Sequence, residues 1–81
     1  MWLVYLLHCD NGSLYTGITN NLDKRYALHL AGKGARYTRM HRPVGIALTI
    51  EFDTKSLALQ AEHAIKKMSA SQKRQFILEH Q

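Results

Sequence analysis

The sequence predicts an α+β domain in which helices flank a small three-stranded antiparallel sheet, in the order β-β-α-β-α-α. Two short apolar stretches lie on either side of Asn11-Gly12, and this pattern is typical of a β-hairpin. A third stretch, at residues 44–52, is rich in the β-branched and aliphatic residues of strands. Apolar residues at helical spacing follow it. No linker or repeat divides the 81 residues, so we expect a single domain over residues 1–81.

Residues 2–7 are apolar at every position, which predicts a strand that is buried on both faces and central in the sheet. The second strand is predicted at residues 14–18 and returns antiparallel to the first. Asn20 is a candidate N-cap for the first helix, with Asp23 three residues later where a capping box places an acid. That helix is predicted to run from about residue 22 to residue 32 and to stop at a Gly-Lys-Gly segment.

Residues 35–43 are predicted to form a basic, irregular loop. Its candidate nucleic-acid-binding side chains are Arg36, Tyr37, Arg39 and Arg42. The third strand follows at residues 44–52 and is weakened by a glycine at position 45. The loop thus places three cations next to the sheet.

Two helices are predicted after the third strand. Asp53 or Thr54 is expected to cap the first of them. Its apolar stripe consists of Leu57, Ala58, Ala61, Ala64, Ile65 and Met68. Ser69 and Gln72 match a second capping box, which opens a short helix anchored by Phe76 and Ile77.

The charge balance favours a polyanionic partner. Eleven Lys and Arg residues against six Asp and Glu give a formal charge of +5 and a pI of about 9.7, which indicates nucleic acid before membrane. The alternative is a basic protein whose charge serves only solubility. The single Cys9 excludes an internal disulfide and a cysteine metal cluster, and it fits a reducing compartment. The apolar residues 2–7 are too few for a transmembrane span, so a cytoplasmic location is expected.

Two tyrosines, an arginine and a histidine are the candidate catalytic residues. Hydrolysis of a phosphodiester requires an activated water and stabilisation of the charge that develops on phosphorus. Arg25 and His29 are spaced i,i+4 and share one face of the first helix, where they could donate to phosphate oxygens and relay a proton. Tyr5 and Tyr15 lie on the two strands of the hairpin. The alternative is that these four residues have no catalytic role, because tyrosine is common in sheets and an Arg and a His often lie side by side at a surface.

Glu62 borders the apolar stripe of the second predicted helix. A carboxylate at such a position usually needs a cation or a metal ion as partner. Mg²⁺ is suited to a lone carboxylate because it keeps several waters. The alternative is a simple i,i+4 ion pair with Lys66.

In their order along the chain, these residues resemble the GIY-YIG endonuclease superfamily, of the short, stand-alone, single-domain bacterial type. The first signature triplet would be Val4-Tyr5-Leu6 or a near neighbour, degenerate except for the tyrosine, and the second Tyr15-Thr16-Gly17 with Thr in place of Ile. The further matches are the helix arginine, the histidine position and the metal-binding glutamate: Arg25, His29 and Glu62. Two positions depart from the family pattern. Ile18 stands where some members carry lysine, and the asparagine that many members have after the glutamate has no clear counterpart.

The resemblance implies a divalent-metal-dependent endonuclease that hydrolyses DNA, structure-selective or weakly sequence-specific, with one Mg²⁺ or Mn²⁺ held by Glu62. It implies Tyr15 as general base, Tyr5 positioning water or phosphate, Arg25 binding the scissile phosphate and His29 assisting proton transfer. DNA is the expected partner and RNA the alternative. No membrane is expected, and a protein partner is left open.

Two rival functions are a catalytically weak or inactive nucleic-acid-binding module and a protein-interaction domain. In the binding module, Tyr37 would stack on an unpaired base. The cations of that module would be Arg36, Arg39, Arg42, Lys66, Lys67, Lys73 and Arg74. Glu62 favours the enzyme, because a binding module has no use for a carboxylate beside a phosphate.

A shared catalytic site also predicts the register of the hairpin. A two-residue turn pairs positions that sum to 23 and places Tyr5 and Tyr15 on opposite faces of the sheet. A three-residue loop with Gly12 in a bulge makes the sum even and brings both tyrosines to one face. We therefore expect the bulged form.

Overall fold

A three-stranded antiparallel sheet in the order β2-β1-β3 forms the centre of the protein. The computed structural model describes all 81 residues. The elements are β1 Trp2–Cys9, β2 Leu14–Thr19, α1 Leu22–Leu30, α2 Arg36–Met40, β3 Pro43–Phe52, α3 Lys55–Lys66 and α4 Ala70–Glu79. The predicted fold class and the order of the main elements are confirmed, and β1 is central as predicted. None of the four helices is both long enough and apolar enough to cross a bilayer.

The turn between β1 and β2 contains a bulge at Gly12. The Gly12 N–H donates to the carbonyl oxygen of Cys9 over 2.9 Å, and the Cys9 N–H donates to the carbonyl oxygen of Ser13 over 3.0 Å. Gly12 has a φ of +83°, in the left-handed region that a residue without a Cβ enters at little cost. This is the predicted three-residue loop with its glycine bulge.

The bulge sets the register of the hairpin. Tyr5 pairs with Gly17 and Leu7 pairs with Tyr15, so that paired positions sum to 22. Side chains alternate between faces along each strand, and directly opposed residues share a face. Tyr5 and Tyr15 therefore lie on the same face of the sheet, and the predicted register is confirmed.

The two faces of the sheet have different roles. Val4 and Leu6 of β1 belong to the main apolar core, which α3 and α4 complete with Ala58, Ile65 and Ile77. Fully burying an aliphatic side chain of this size contributes about 1.5–3 kcal/mol. The intervening residues of β1, including Tyr5, face the other way, toward α1. One face thus stabilises the domain, while the other leaves polar side chains near the hairpin.

The start of α1 differs from the prediction by one residue. Asn21, not Asn20, is the N-cap, and its side chain accepts from the N–H of Lys24. The reason lies in the preceding strand, because the Thr19 hydroxyl accepts from the N–H of Asn21 over 3.0 Å and fixes the junction. Of the two predicted candidates for the cap of α3, Asp53 and Thr54, the structure has Thr54, and the predicted capping box of Ser69 and Gln72 opens α4.

The prediction of an irregular segment at residues 35–43 was wrong in part, because α2 forms within it. The carbonyl oxygen of Ala35 accepts from the N–H of Arg39 over 3.2 Å, which closes one helical turn. The segment is also tied down at its end. The Arg42 guanidinium donates to the carbonyl oxygen of Leu30 over 3.0 Å, and the Arg42 carbonyl accepts from the N–H of Asp10 over 2.8 Å. Arg42 therefore has a structural role, joining α1 to the hairpin.

Candidate active site

All four predicted catalytic residues come together on the face of the sheet that α1 covers. They are Tyr5, Tyr15, Arg25 and His29. The ring centroids of Tyr5 and Tyr15 are 6.4 Å apart, and those of Tyr15 and His29 are 5.2 Å apart. The Arg25 Nε lies 3.4 Å from the phenolic oxygen of Tyr5. The i,i+4 spacing on α1 and the even hairpin register together produce this cluster.

Two glycines make room for the cluster. A Cβ built on Gly17 would lie 2.5 Å from the phenolic oxygen of Tyr5, so only glycine lets this phenol lie across β2. A Cβ on Gly34 would collide with Nδ1 of His29. Gly34 was predicted only as part of a helix stop, yet it also lets the chain pass close to the imidazole.

A buried chain of hydrogen bonds fixes the protonation of His29. The Thr38 hydroxyl donates to the carbonyl oxygen of Ala35 over 2.9 Å. Its oxygen therefore accepts from Nδ1–H of His29, 2.7 Å away. The Nε2 atom of the neutral ring is then an acceptor, and the Tyr5 hydroxyl donates to it over 2.8 Å. His29 is 0% exposed, and both of its ring nitrogens are taken up by the hydrogen bonds to Tyr5 and Thr38.

Burial of these hydrogen-bonded side chains shifts the pKa values of His29 and Tyr5 in directions that preserve the hydrogen bonds. Burial lowers the pKa of His29, and the nearby Arg25 charge lowers it further. Burial also raises the pKa of the Tyr5 phenol, against the opposing effect of the hydrogen bond from Arg25. Near neutral pH, Tyr5 keeps its proton and His29 stays uncharged.

Arg25 is held at one end and free at the other. Its Nε–H donates to the Tyr5 oxygen, and it takes part in no ion pair. The hydrogen bond to Tyr5 is the largest cause of the raised pKa of this guanidinium, and the Tyr15 phenol adds to the effect. The terminal Nη atoms of a half-buried, unpaired guanidinium are suited to an anion such as phosphate.

Tyr15 differs from Tyr5 in access. It is half-buried, its phenol makes no hydrogen bond of normal geometry, and its ring lies between His29 and Tyr37. The centroids of Tyr15 and Tyr37 are 6.2 Å apart in a stacked arrangement with an interplanar angle of 21°. Tyr15 is therefore the tyrosine whose oxygen remains available to a substrate or a water.

Tyr37 anchors α2 to the hairpin. Its hydroxyl accepts from Nδ2 of Asn11 over 3.3 Å and forms a short hydrogen bond with the hydroxyl of Ser13. One ring face packs on Tyr15, and the residue remains 39% exposed. Its predicted stacking on a base would use the part of the ring that this contact leaves free.

The predicted basic surface is exposed and has few internal counter-ions. Arg36 and Arg39 project from α2 and form no ion pair or hydrogen bond through their side chains. Among the eleven lysines and arginines, only Lys66 pairs with a carboxylate. Most of the positive charge of the domain is therefore available to an external anion.

Glu62 lies on α3 at the border of the apolar core, as predicted. Its side chain is 12% exposed, and one carboxylate oxygen lies 3.6 Å from Nζ of Lys66. The ion pair between Glu62 and Lys66, which the sequence suggested as the alternative to a metal site, therefore forms. The carboxylate also contributes, as the smallest cause, to the raised pKa of Tyr5, after burial. It therefore acts electrostatically on the tyrosine cluster.

The donor set around Glu62 fits only one kind of metal site. No group of three or more His, Cys, Asp or Glu side chains is positioned to hold an ion. These donors are too few for a closed tetrahedral zinc site, which needs four protein ligands. A single, mostly buried carboxylate fits Mg²⁺ or Mn²⁺, which complete their shell with waters and substrate phosphate.

Sequence reasoning missed two buried polar residues. Thr38 orients His29, and only its place beside Tyr37 in a basic segment could have drawn attention to it. Thr16 was noted only as a replacement in the second triplet. It is 2% exposed, and its hydroxyl oxygen has no hydrogen-bond partner.

Comparison with known proteins gives a consistent result. The family model of the GIY-YIG catalytic domain matches residues 1–75. The chain is 52% identical over 75 residues to a UPF0213 protein of Cupriavidus necator, covering 93% of this chain and 82% of that one. A UPF0213 protein of Neisseria gonorrhoeae is 47% identical over 74 residues, covering 91% and 81%. The solution NMR structure of a UPF0213 protein from Bacillus halodurans aligns with a TM-score of 0.61 at 40% identity, covering 95% of this chain and 83% of that chain.

Proposed function

The chain belongs to the GIY-YIG catalytic domain family, and we propose that it is a divalent-metal-dependent endonuclease that hydrolyses phosphodiester bonds in DNA. Nuclease-type chemistry is what this domain implies in general. The requirement for metal, the choice of DNA and the roles of individual residues are the substance of the proposal.

One observation carries the proposal: an accessible phenol lies beside an unpaired guanidinium that a second, buried phenol holds in place. The Tyr5 oxygen accepts from Arg25 Nε at 3.4 Å. This hydrogen bond is the largest cause of the raised pKa of Arg25, and the Tyr15 phenol lies close enough to raise it further. A domain that only binds anions needs the guanidinium but not an unbonded phenol next to it. Water activation at a phosphate uses both.

In the proposed reaction, Arg25 donates from its Nη atoms to the non-bridging oxygens of the scissile phosphate. Tyr15 acts as its phenolate, after its own proton has passed to solvent, and takes one proton from the attacking water. The water oxygen bonds to phosphorus while the bond from phosphorus to the leaving oxygen breaks, and that oxygen is protonated from solvent. Arg25 stabilises the negative charge in the site. Tyr5 does not reach solvent, being 1% exposed, so it positions Arg25 rather than the water. His29 and Thr38 in turn hold Tyr5, so His29 assists through Tyr5 and not by contact with the substrate.

Glu62 would hold the divalent ion, whose charge stabilises the phosphate and the departing oxygen when it is bound. Lys66 would then lose its partner in the ion pair. Burial is the main cause of the raised pKa of Tyr5, but Glu62 lies close enough to contribute to it, which supports an ion held beside the tyrosine cluster.

The proposal is tested by incubating the pure protein with labelled linear, nicked and branched DNA, and with RNA of the same sequence, in Mg²⁺, Mn²⁺ or EDTA. Mg²⁺- or Mn²⁺-dependent cleavage of at least one DNA substrate is expected, with loss in EDTA. Tyr15→Phe should abolish cleavage, whereas Tyr26→Phe, which changes a tyrosine of α1 outside the cluster, should not. Binding without cleavage under all conditions would identify the rival binding module.

A further inference from the structure

A cleft of about 390 Å³ opens beside Tyr15, between β2, α2 and the junction of α3 with α4. Tyr15 and Tyr37 line it together with Lys66, Lys73 and Thr16. Neither lysine has a role in the mechanism proposed above. The cleft adjoins Tyr15, whose oxygen is proposed to activate water, so a ligand in the cleft would lie near the reacting phosphate.

The charges at the cleft fit an anion. Lys73 is half-buried, although its ammonium group has no ion pair and no hydrogen bond in the protein. Lys66 has one partner, Glu62, at 3.6 Å, and its side chain is 51% exposed. No aspartate or glutamate lines the cleft. Two ammonium groups without a carboxylate at the wall would attract a phosphate.

The remaining walls fit a nucleoside. The stacked pair of Tyr15 and Tyr37 supplies aromatic surface, Leu14 supplies apolar surface, and every base has a π-face that such a wall can contact. Thr16 also lines the cleft, and its hydroxyl is the one buried side-chain polar atom without a partner. No Asn, Gln or Arg side chain is present to read base edges, so binding would tolerate any sequence.

We propose that this cleft binds one unpaired nucleotide next to the scissile phosphate, with Lys66 and Lys73 on its phosphate and Tyr15 and Tyr37 along its base. The inference rests on the proposed function for the identity of the scissile site. A base within a duplex has both faces stacked and its edge paired, so it cannot enter. The preferred substrate is then a single strand, or a junction where a strand leaves a duplex.

The test is a binding measurement that does not depend on cleavage. Fluorescence anisotropy in EDTA would compare a labelled six-residue oligothymidine with a labelled twelve-base-pair duplex. Lys73→Ala should weaken binding of oligothymidine by on the order of tenfold, the effect of losing one charge-assisted hydrogen bond. It should also lower the slope of log K against log salt by about 0.7. Affinity for the duplex should change less.

The matched control is Arg74→Ala, which removes the same charge from the next residue of α4, an exposed position outside the cleft. It should leave the preference for oligothymidine intact. Lys73→Arg should retain most of the affinity, which separates loss of charge from loss of fold. Equal losses in Lys73→Ala and Arg74→Ala, or equal losses on oligothymidine and duplex, would overturn the cleft as a nucleotide site. Either result could occur with cleavage intact, so the proposed function is judged separately.

Discussion

The phenolic oxygen of Tyr5 lies 2.8 Å from Nε2 of His29, and this hydrogen bond joins the sheet to the first helix inside the site. Since Thr38 fixes the opposite ring nitrogen as a donor, the proton between Tyr5 and His29 belongs to the phenol. The Tyr5 oxygen is then oriented to accept from Arg25. A structural network thus determines where the proposed phosphate ligand points.

The two tyrosines are expected to respond differently to loss of the hydroxyl. Tyr15→Phe should lower the cleavage rate by about 10²–10⁴-fold, the usual effect of removing a general base, without a change in stability. Tyr5→Phe should reduce the free energy of unfolding by about 1–3 kcal/mol, because it leaves Nε2 of the buried His29 without a donor. Urea denaturation and cleavage assays of both variants check this. Equal loss of stability in both would contradict the assignment.

The stability of the protein should depend on pH through His29. Its pKa in the folded state is lowered by burial and then by Arg25, so the unfolded chain binds the proton first as pH falls. The neutral ring contributes its full stability above the unfolded value of about 6.5. That contribution should be lost from there downward, by up to about 1.4 kcal/mol per pH unit. Urea denaturation between pH 8 and pH 5 tests it, with His29→Gln as the reference in which this slope is missing.

Glu62→Gln should abolish cleavage while binding of DNA in EDTA survives. The change is nearly isosteric but removes the anionic ligand that a hard cation requires. Lys66→Ala is the control for metal binding, because it breaks the same ion pair, keeps the carboxylate and should retain Mn²⁺ affinity. If Glu62 serves only the ion pair, Glu62→Gln should lose about 0.3–0.5 kcal/mol of stability with cleavage unaffected. Isothermal titration with Mn²⁺ gives a readout besides activity, and equal Mn²⁺ affinity in Glu62→Gln and the wild type would remove Glu62 as a ligand.

Arg36→Ala with Arg39→Ala should flatten the salt dependence of DNA binding. Both guanidinium groups are exposed and unpaired, and each neutralised phosphate contributes about −0.9 to the slope on duplex DNA. The double variant should therefore lose about two units of slope. The effect on stability should be small, because neither side chain makes an internal contact of the kind that Arg42 makes. A salt titration on one duplex measures this, and an unchanged slope would show that α2 does not contact phosphate.

Thr16→Val should stabilise the protein. The hydroxyl is buried without a partner, an arrangement that costs about 1–3 kcal/mol, and valine keeps the shape while removing the polar atom. Thermal or urea denaturation should show a gain of about 1 kcal/mol. Thr19→Val is the control, because it removes a hydroxyl that holds the junction before α1 and should destabilise. A loss in Thr16→Val would mean that the hydroxyl already has a partner in solution.

Local signals in the sequence were sufficient for the fold class, the hairpin and two helix caps. Asn11-Gly12 predicted the turn, and the requirement that Tyr5 and Tyr15 share a site predicted the bulged register that the structure has. The capping box of Ser69 and Gln72 is likewise a property of four consecutive positions. The turn and the capping box depend on residues close in the chain, so composition and spacing specify them, whereas the bulged register followed only from the expected shared site.

Contacts between distant residues were decided only in the tertiary structure. One miss was local: Asn21 replaces the predicted Asn20 as N-cap because the Thr19 hydroxyl, two residues earlier, accepts from the Asn21 N–H. The other misses involve distant residues. The turn of α2 was unforeseen because its anchors, Tyr37 on the hairpin and Thr38 on His29, lie far apart in sequence. Tyrosine, histidine and threonine side chains show no preference in the sequence for their eventual hydrogen-bond partners. The sequence alone determined which residues are available for chemistry, whereas the packing of α1 and α2 on the sheet determined that Tyr5 is buried and Tyr15 is accessible.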